Sequence, residues 1–134
     1  MIASGVSEDD RIAEYMSKLA HLHQQFIREI KPAHDPLTKA KALFDWLWMK
    51  KPSRYRPHGH YRLNDAIDSQ LSGGNQVVGN CLGLTLFYNC LLGRTGMDAE
   101  ALYLENAFGR GPHVLTIFKT KKSMIDIENI LPDG

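Results

Sequence analysis

The sequence has few features of an exported or membrane-spanning protein. It contains no run of about 18 consecutive apolar residues, the length from which a transmembrane helix is recognised. Residues 1–10 hold neither a basic segment nor an apolar stretch, so we expect no signal peptide. These absences predict a cytoplasmic protein with no membrane partner.

Cysteine is also scarce, and Cys81 and Cys90 are the only two. They are nine residues apart on one predicted helix, where a rotation of about 100° per residue puts them on nearly opposite sides. They therefore cannot bond to each other, which fits a reducing compartment. Cys90 lies in the middle of the helix and is expected to pack in the core.

No excess of one charge points to a polyanionic partner, because 16 basic residues face 15 acidic ones. Residues 50–58 form a short basic run with Tyr55 inside it, a pattern that nucleic-acid binders also show. Since the charge is local, we expect a solvated loop or the rim of a substrate groove, and no nucleic-acid partner.

The histidines do not have the spacing of a metal site. His21 and His23 are separated by about 200° on a predicted helix and cannot hold one ion together. His58 and His60 in a loop could do so, but no Cys pair or His-Glu-x-x-His spacing accompanies them. We expect neither a metal nor a cofactor.

Length and composition predict one domain over residues 1–134. With 134 residues and 43% hydrophobic content, such a chain can bury about two-thirds of the surface exposed on unfolding. We place a helical part at about 7–92 and strands at about 98–130. Helices packed on one side of a small antiparallel sheet make an α+β fold.

Capping and turn residues divide the chain into elements. Ser7 can cap a first helix that Pro32 ends, and Asp35-Pro36 begins a second helix that Pro52 closes. The other predicted elements are helices over 64–71 and 81–92 and strands over 98–104, 114–118 and 124–127. The positions expected to face the core are Ile12, Tyr15, Met16, Leu19, Phe26 and Ile30 on the first helix, and Leu37, Ala40, Leu43, Phe44, Leu47 and Trp48 on the second.

Cys81 is predicted to lie in the first turn of a buried helix. Asn80 is a favourable N-cap residue, and residues 82–92 form an almost unbroken apolar run without proline. The positive end of the helix dipole and the unpaired backbone N–H groups there favour thiolate over thiol. Cys81 is therefore a candidate nucleophile, although a lone cysteine on an apolar helix is usually packing.

A base and a carboxylate follow Cys81 along the chain. His113 comes after the loop at 109–112 and opens a strand, and Asp126 lies 13 residues later on the next strand. A hairpin can bring Asp126 beside His113. Glu128 is on the same face two residues further along, so it remains the alternative carboxylate.

The residues come in the order Cys, His, Asp, with the cysteine on a helix and the other two on the strands that follow. In this the chain resembles the transglutaminase-like superfamily of papain-related thiol enzymes. The resemblance covers roughly residues 63–128 and more weakly 40–49. It rests on 79–85 as the Gly-x-Cys nucleophile segment, 93–100 as the helix-to-strand link, and 111–114 and 125–126 as later signatures. The chain stops eight residues after Asp126, where the family usually adds strands, so the resemblance implies a papain-like core with an incomplete sheet.

By this resemblance, Cys81 is the nucleophile, His113 the general base and acid, and Asp126 the residue that orients His113. The expected function is acyl transfer or amide hydrolysis on a protein or peptide through a thioester on Cys81. Whether water or an amine resolves the thioester stays open. The alternative is a catalytically inactive domain that binds peptides within a larger protein with further domains.

Overall fold

The computed structural model describes residues 9–31 and 33–134. Within them the chain forms four α-helices, a short 3₁₀ turn at Ala107–Gly109 and three strands. The helices are α1 (Asp9–Glu29), α2 (Pro36–Lys50), α3 (Leu63–Leu71) and α4 (Cys81–Arg94), and the strands are β1 (Asp98–Leu104), β2 (His113–Lys119) and β3 (Met124–Ile127). No helix among the described residues is long and apolar enough to cross a membrane.

The three strands form one antiparallel sheet in the order β1-β2-β3, which confirms the α+β class. In the hairpin of β2 and β3, Ile117 pairs with Asp126 and Thr116 with Ile127. α4 packs against β2 and β1, so the helix that begins at Cys81 covers the sheet. β2 is the central strand, and its Phe118 is fully buried beneath the helices.

Side-chain caps start α2 and α4 where the sequence predicts them. Asp35 is one residue before the proline that opens α2. Its Oδ2 accepts a hydrogen bond from the backbone N–H of Thr38 at 2.9 Å. Oδ1 of Asn80 likewise accepts from Gly83 N–H at 3.0 Å, so α4 begins at Cys81. The predicted cap Ser7 and the predicted stop Pro32 lie outside the described residues.

Two predicted core positions are wrong, because Met16 and Leu37 are exposed. On α2, Trp48 is predicted to be a core residue and is half-buried, whereas Trp46, which is not predicted, is buried. Trp46 can enter the core because its indole N–H donates to Oε2 of Glu29 at 2.5 Å, while its ring packs against Phe26.

Candidate active site

The segment leading into α4 is held by backbone hydrogen bonds from the preceding loop. The carbonyl of Arg54 accepts from the N–H groups of Val78 and Gly79, at 2.8 and 3.1 Å. The N–H of Asn80 donates to the carbonyl of His60 at 2.8 Å. The three residues before Cys81 are therefore held by hydrogen bonds to Arg54 and His60 before the helix starts.

Arg54 anchors this loop from inside the protein. Its guanidinium donates to the carbonyl of Leu47 on α2 at 2.8 Å and to Oε1 of Gln70 on α3 at 2.7 Å. Burial lowers the pKa of Arg54 below its ordinary value. The two acceptors satisfy part of the hydrogen-bonding capacity of a buried cation, and they tie both helices to the segment before Cys81.

Three glycines let the loop lie directly against the first turn of α4. A Cβ atom on Gly59 would come within 2.7 Å of the Gly79 backbone, and one on Gly79 within 2.7 Å of the His60 carbonyl oxygen. On Gly83 it would lie 2.2 Å from that oxygen. Only residues without a side chain permit this approach.

Cys81 is half-buried at the first position of α4. The first backbone N–H groups of a helix have no partner within the helix, and together with the dipole they stabilise negative charge on a nearby sulfur. Cys90 is also half-buried, but it packs against the core, and burial raises the pKa of its thiol. The two cysteines thus differ in position, since Cys81 begins α4 and Cys90 lies within it.

His113, at the first position of β2, contacts a carboxylate. Its Nε2 lies 2.6 Å from Oε2 of Glu128, and the two side chains are only 14% and 25% exposed. An ionised carboxylate can only accept a hydrogen bond, so the ring nitrogen donates. This contact fixes the ring and leaves Nδ1 as the nitrogen available to another group.

The structure does not bring Asp126 to His113. The register places Asp126 opposite Ile117, four residues along β2 from His113, and the carboxylate is exposed. Asp126 instead lines a separate cavity together with Leu37 and Lys41. Of the two carboxylates considered from the sequence, Glu128 makes the contact, because it is two residues nearer to the end of the hairpin at which β2 begins.

A buried polar network joins the Cys81 face of α4 to β2. Thr85, one turn after Cys81, donates from Oγ1 to the carbonyl of Val114 at 3.3 Å. Nδ2 of Asn129 donates to Oγ1 of Thr85 at 3.1 Å and to Oγ1 of Thr116 at 2.8 Å. The helix start, the strand start and the segment carrying Glu128 are thereby fixed to one another.

We expect Asn129→Ala to destabilise the protein by about 1–3 kcal/mol, because the hydroxyls of Thr85 and Thr116 each lose a buried partner. Urea denaturation measures the loss. Asn75→Ala is the matched control, since Asn75 is exposed and, among the described residues, its side chain bonds only to Ser53. An equal effect of both changes would contradict a central role for the network.

Tyr55 is a site neighbour that the sequence did not single out. It is half-buried and pairs with Gly79 in an isolated bridge. Burial raises the pKa of Tyr55, and the charges of Cys81 and Glu128 raise this pKa further. Both groups are thus within electrostatic range of its hydroxyl. Tyr55 lies inside the basic run, where no local pattern distinguishes it from a loop residue.

Three amide side chains just before Cys81 in the sequence have hydrogen-bond partners. Asn75 bonds to Ser53, and Oε1 of Gln76 accepts from the hydroxyl of Ser72. Oδ1 of Asn80 caps α4. The backbone N–H of Cys81 lies in the first helical turn, where intrahelical acceptors are lacking, so it can donate to an oxyanion.

Among residues 9–31 and 33–134, no group of three His, Cys, Asp or Glu side chains could hold a metal ion. Comparison with protein-family models, curated proteins and solved structures finds no match for this chain. The transglutaminase-like assignment therefore remains a prediction that rests on the residues themselves.

Proposed function

We propose that this protein catalyses thiol-dependent acyl transfer or amide hydrolysis on a peptide or protein. The observation that supports it most directly is the contact between His113 and Glu128 at the start of β2. Helix α4, which begins at Cys81, bonds to the same end of β2 through Thr85. A histidine held by a carboxylate is the base half of a nucleophile–base–carboxylate arrangement, for which Cys81 at the start of α4 is the proposed nucleophile. In it the orienting residue is Glu128 and not Asp126.

In the proposed reaction, the thiolate of Cys81 attacks the carbonyl carbon of an amide. His113, protonated on Nδ1, gives that proton to the leaving amine as the carbon–nitrogen bond breaks. The product is a thioester on Cys81. Glu128 holds Nε2 and stabilises the imidazolium without taking its proton.

The thioester is then resolved by an acceptor that His113 deprotonates. The acceptor oxygen or nitrogen bonds to the carbonyl carbon, the carbon–sulfur bond breaks, and Cys81 leaves as thiolate. Water would make the protein a peptidase or deamidase, and an amine would make it a transglutaminase. The backbone N–H of Cys81 would stabilise the oxyanion in both steps, and one such donor is worth about 3–4 kcal/mol.

The test is alkylation of the native protein by iodoacetamide near pH 6. A thiolate stabilised by a helix N-terminus and an imidazolium reacts at a pH where an ordinary thiol is slow, so we expect selective labelling of Cys81 over Cys90. His113→Ala should remove most of this selectivity and leave the part due to the helix. Mass spectrometry of the labelled peptides measures both rates.

Cys90 is the internal control, since burial raises the pKa of its thiol. Slow labelling of both cysteines, unchanged in His113→Ala, would refute the catalytic proposal. The inactive peptide-binding domain would then be the better account of the fold.

A further inference from the structure

An open cavity adjoins the segment that precedes Cys81. It has a volume of about 870 Å³ and lies between the loop after α2, the start of α3 and Val77. Its lining includes Arg56, His58, His60 and Arg62. Such a volume is in the range of sites that hold a small ligand or a few residues of a peptide.

The lining carries two arginines, Arg56 and Arg62. Within the described chain neither Arg56 nor Arg62 is within salt-bridge distance of a carboxylate. The guanidinium of Arg56 donates to the neighbouring carbonyl of Tyr55 at 3.2 Å, and the Arg62 guanidinium lies 5.5 Å from the ring centre of Tyr61. Each guanidinium has five N–H donors, so most of them remain for a ligand.

The N-terminus of α3 adds to this positive potential. Arg62 is the N-cap residue and makes no side-chain cap, so the first N–H groups of the helix lack that acceptor. Asp65 also lines the cavity and supplies one negative charge against the two arginines. The excess of one positive charge in the lining favours a ligand with a small number of carboxylates.

The cavity is close to Cys81. The carbonyl of His60, a lining residue, bonds to the N–H of Asn80, which immediately precedes Cys81. Val77, another lining residue, is four positions before Cys81, and an extended chain covers about 3.3–3.6 Å per residue. A peptide whose amide is at Cys81 can therefore reach the cavity with a side chain a few residues away.

We propose that this cavity binds acidic side chains of the peptide substrate, so that the protein prefers amides flanked by glutamate or aspartate. Carboxylates pair bidentately with the free guanidinium forks of Arg56 and Arg62. The inference rests on the proposed function, of which it names the substrate class. It also assigns a binding role to the loop of residues 56–62, which otherwise holds the start of α4.

The observations favour a peptide over a nucleic acid. Asp65 in the lining would repel a phosphate backbone. The chain as a whole has a net charge of only +1. Nucleic-acid binding sites instead show a basic surface that extends along the backbone.

The test uses the full chain with Cys81→Ala, so that binding is read without reaction. The probe is a fluorescein-labelled peptide with a central Gln between Glu residues, compared by anisotropy with the same peptide carrying Gln in place of each Glu. We expect roughly tenfold tighter binding of the acidic peptide, about the effect of one charge-assisted hydrogen bond. Added salt should reduce this preference.

Arg56→Gln with Arg62→Gln should abolish the preference for the acidic peptide. Arg28→Gln with Arg94→Gln removes the same charge at two exposed sites outside the cavity and should retain it. Equal binding of both peptides, or equal loss in both double variants, would overturn the proposal. Tighter binding of single-stranded DNA than of the acidic peptide would assign the cavity to nucleic acid instead.

The two proposals fail separately. Binding of the acidic peptide together with slow alkylation of both cysteines in the unmodified protein would refute acyl transfer and leave the cavity as a peptide-binding site. Selective alkylation of Cys81 without a preference for the acidic peptide would refute the cavity proposal alone.

Discussion

Gly83→Ala is expected to destabilise the protein by about 1–3 kcal/mol, although alanine is the better helix former. The added Cβ would lie 2.2 Å from the carbonyl oxygen of His60, and a backbone atom cannot move aside as a flexible side chain can. Either the loop or the first turn of α4 must shift. Urea denaturation measures the change in the free energy of unfolding.

Gly93→Ala in the same helix is the matched control. Nothing lies within 4 Å of a Cβ at Gly93, so the substitution should stabilise by up to about 1 kcal/mol through helix propensity alone. If Gly83→Ala stabilised the protein as Gly93→Ala does, the close approach of the His60 loop would not exist in solution.

Glu128→Ala should slow alkylation of Cys81 near pH 6 by roughly tenfold to a hundredfold. The carboxylate accepts a charge-assisted hydrogen bond from His113, worth about 1.5–3 kcal/mol, which favours the imidazolium that stabilises the thiolate. The half-buried position limits screening by water. Iodoacetamide labelling followed by mass spectrometry gives the rate.

Asp126→Ala is the control for this experiment, because Asp126 is an exposed carboxylate two residues away on the same hairpin. It should leave the alkylation rate unchanged. Thermal melting of both variants separates a loss of reactivity from a loss of fold. If Asp126→Ala slowed labelling and Glu128→Ala did not, the orienting role would return to Asp126, as the family resemblance implies.

Most secondary-structure elements were predictable because their signals are local. Asp35 with Pro36 and Asn80 mark helix starts that depend on neighbouring side chains and backbone. The strand at 98–104 was placed correctly from its sequence, and those at 114–118 and 124–127 to within one residue at each end. Which helix residues face the core is predicted less accurately. Met16 and Leu37 have the helical spacing of core residues but are exposed to solvent.

The sequence alone determined the α+β class, the helix that begins at Cys81 and the hairpin that carries His113. These follow from capping, apolar periodicity and turn residues, all of which act over a few positions. Only the tertiary structure decided that Glu128 contacts His113, that Asn129 bonds to Thr85 and Thr116, and that residues 56–62 line an open cavity. Strand register and loop packing decide such contacts, and they join residues far apart in sequence, where no local pattern records which side chains meet.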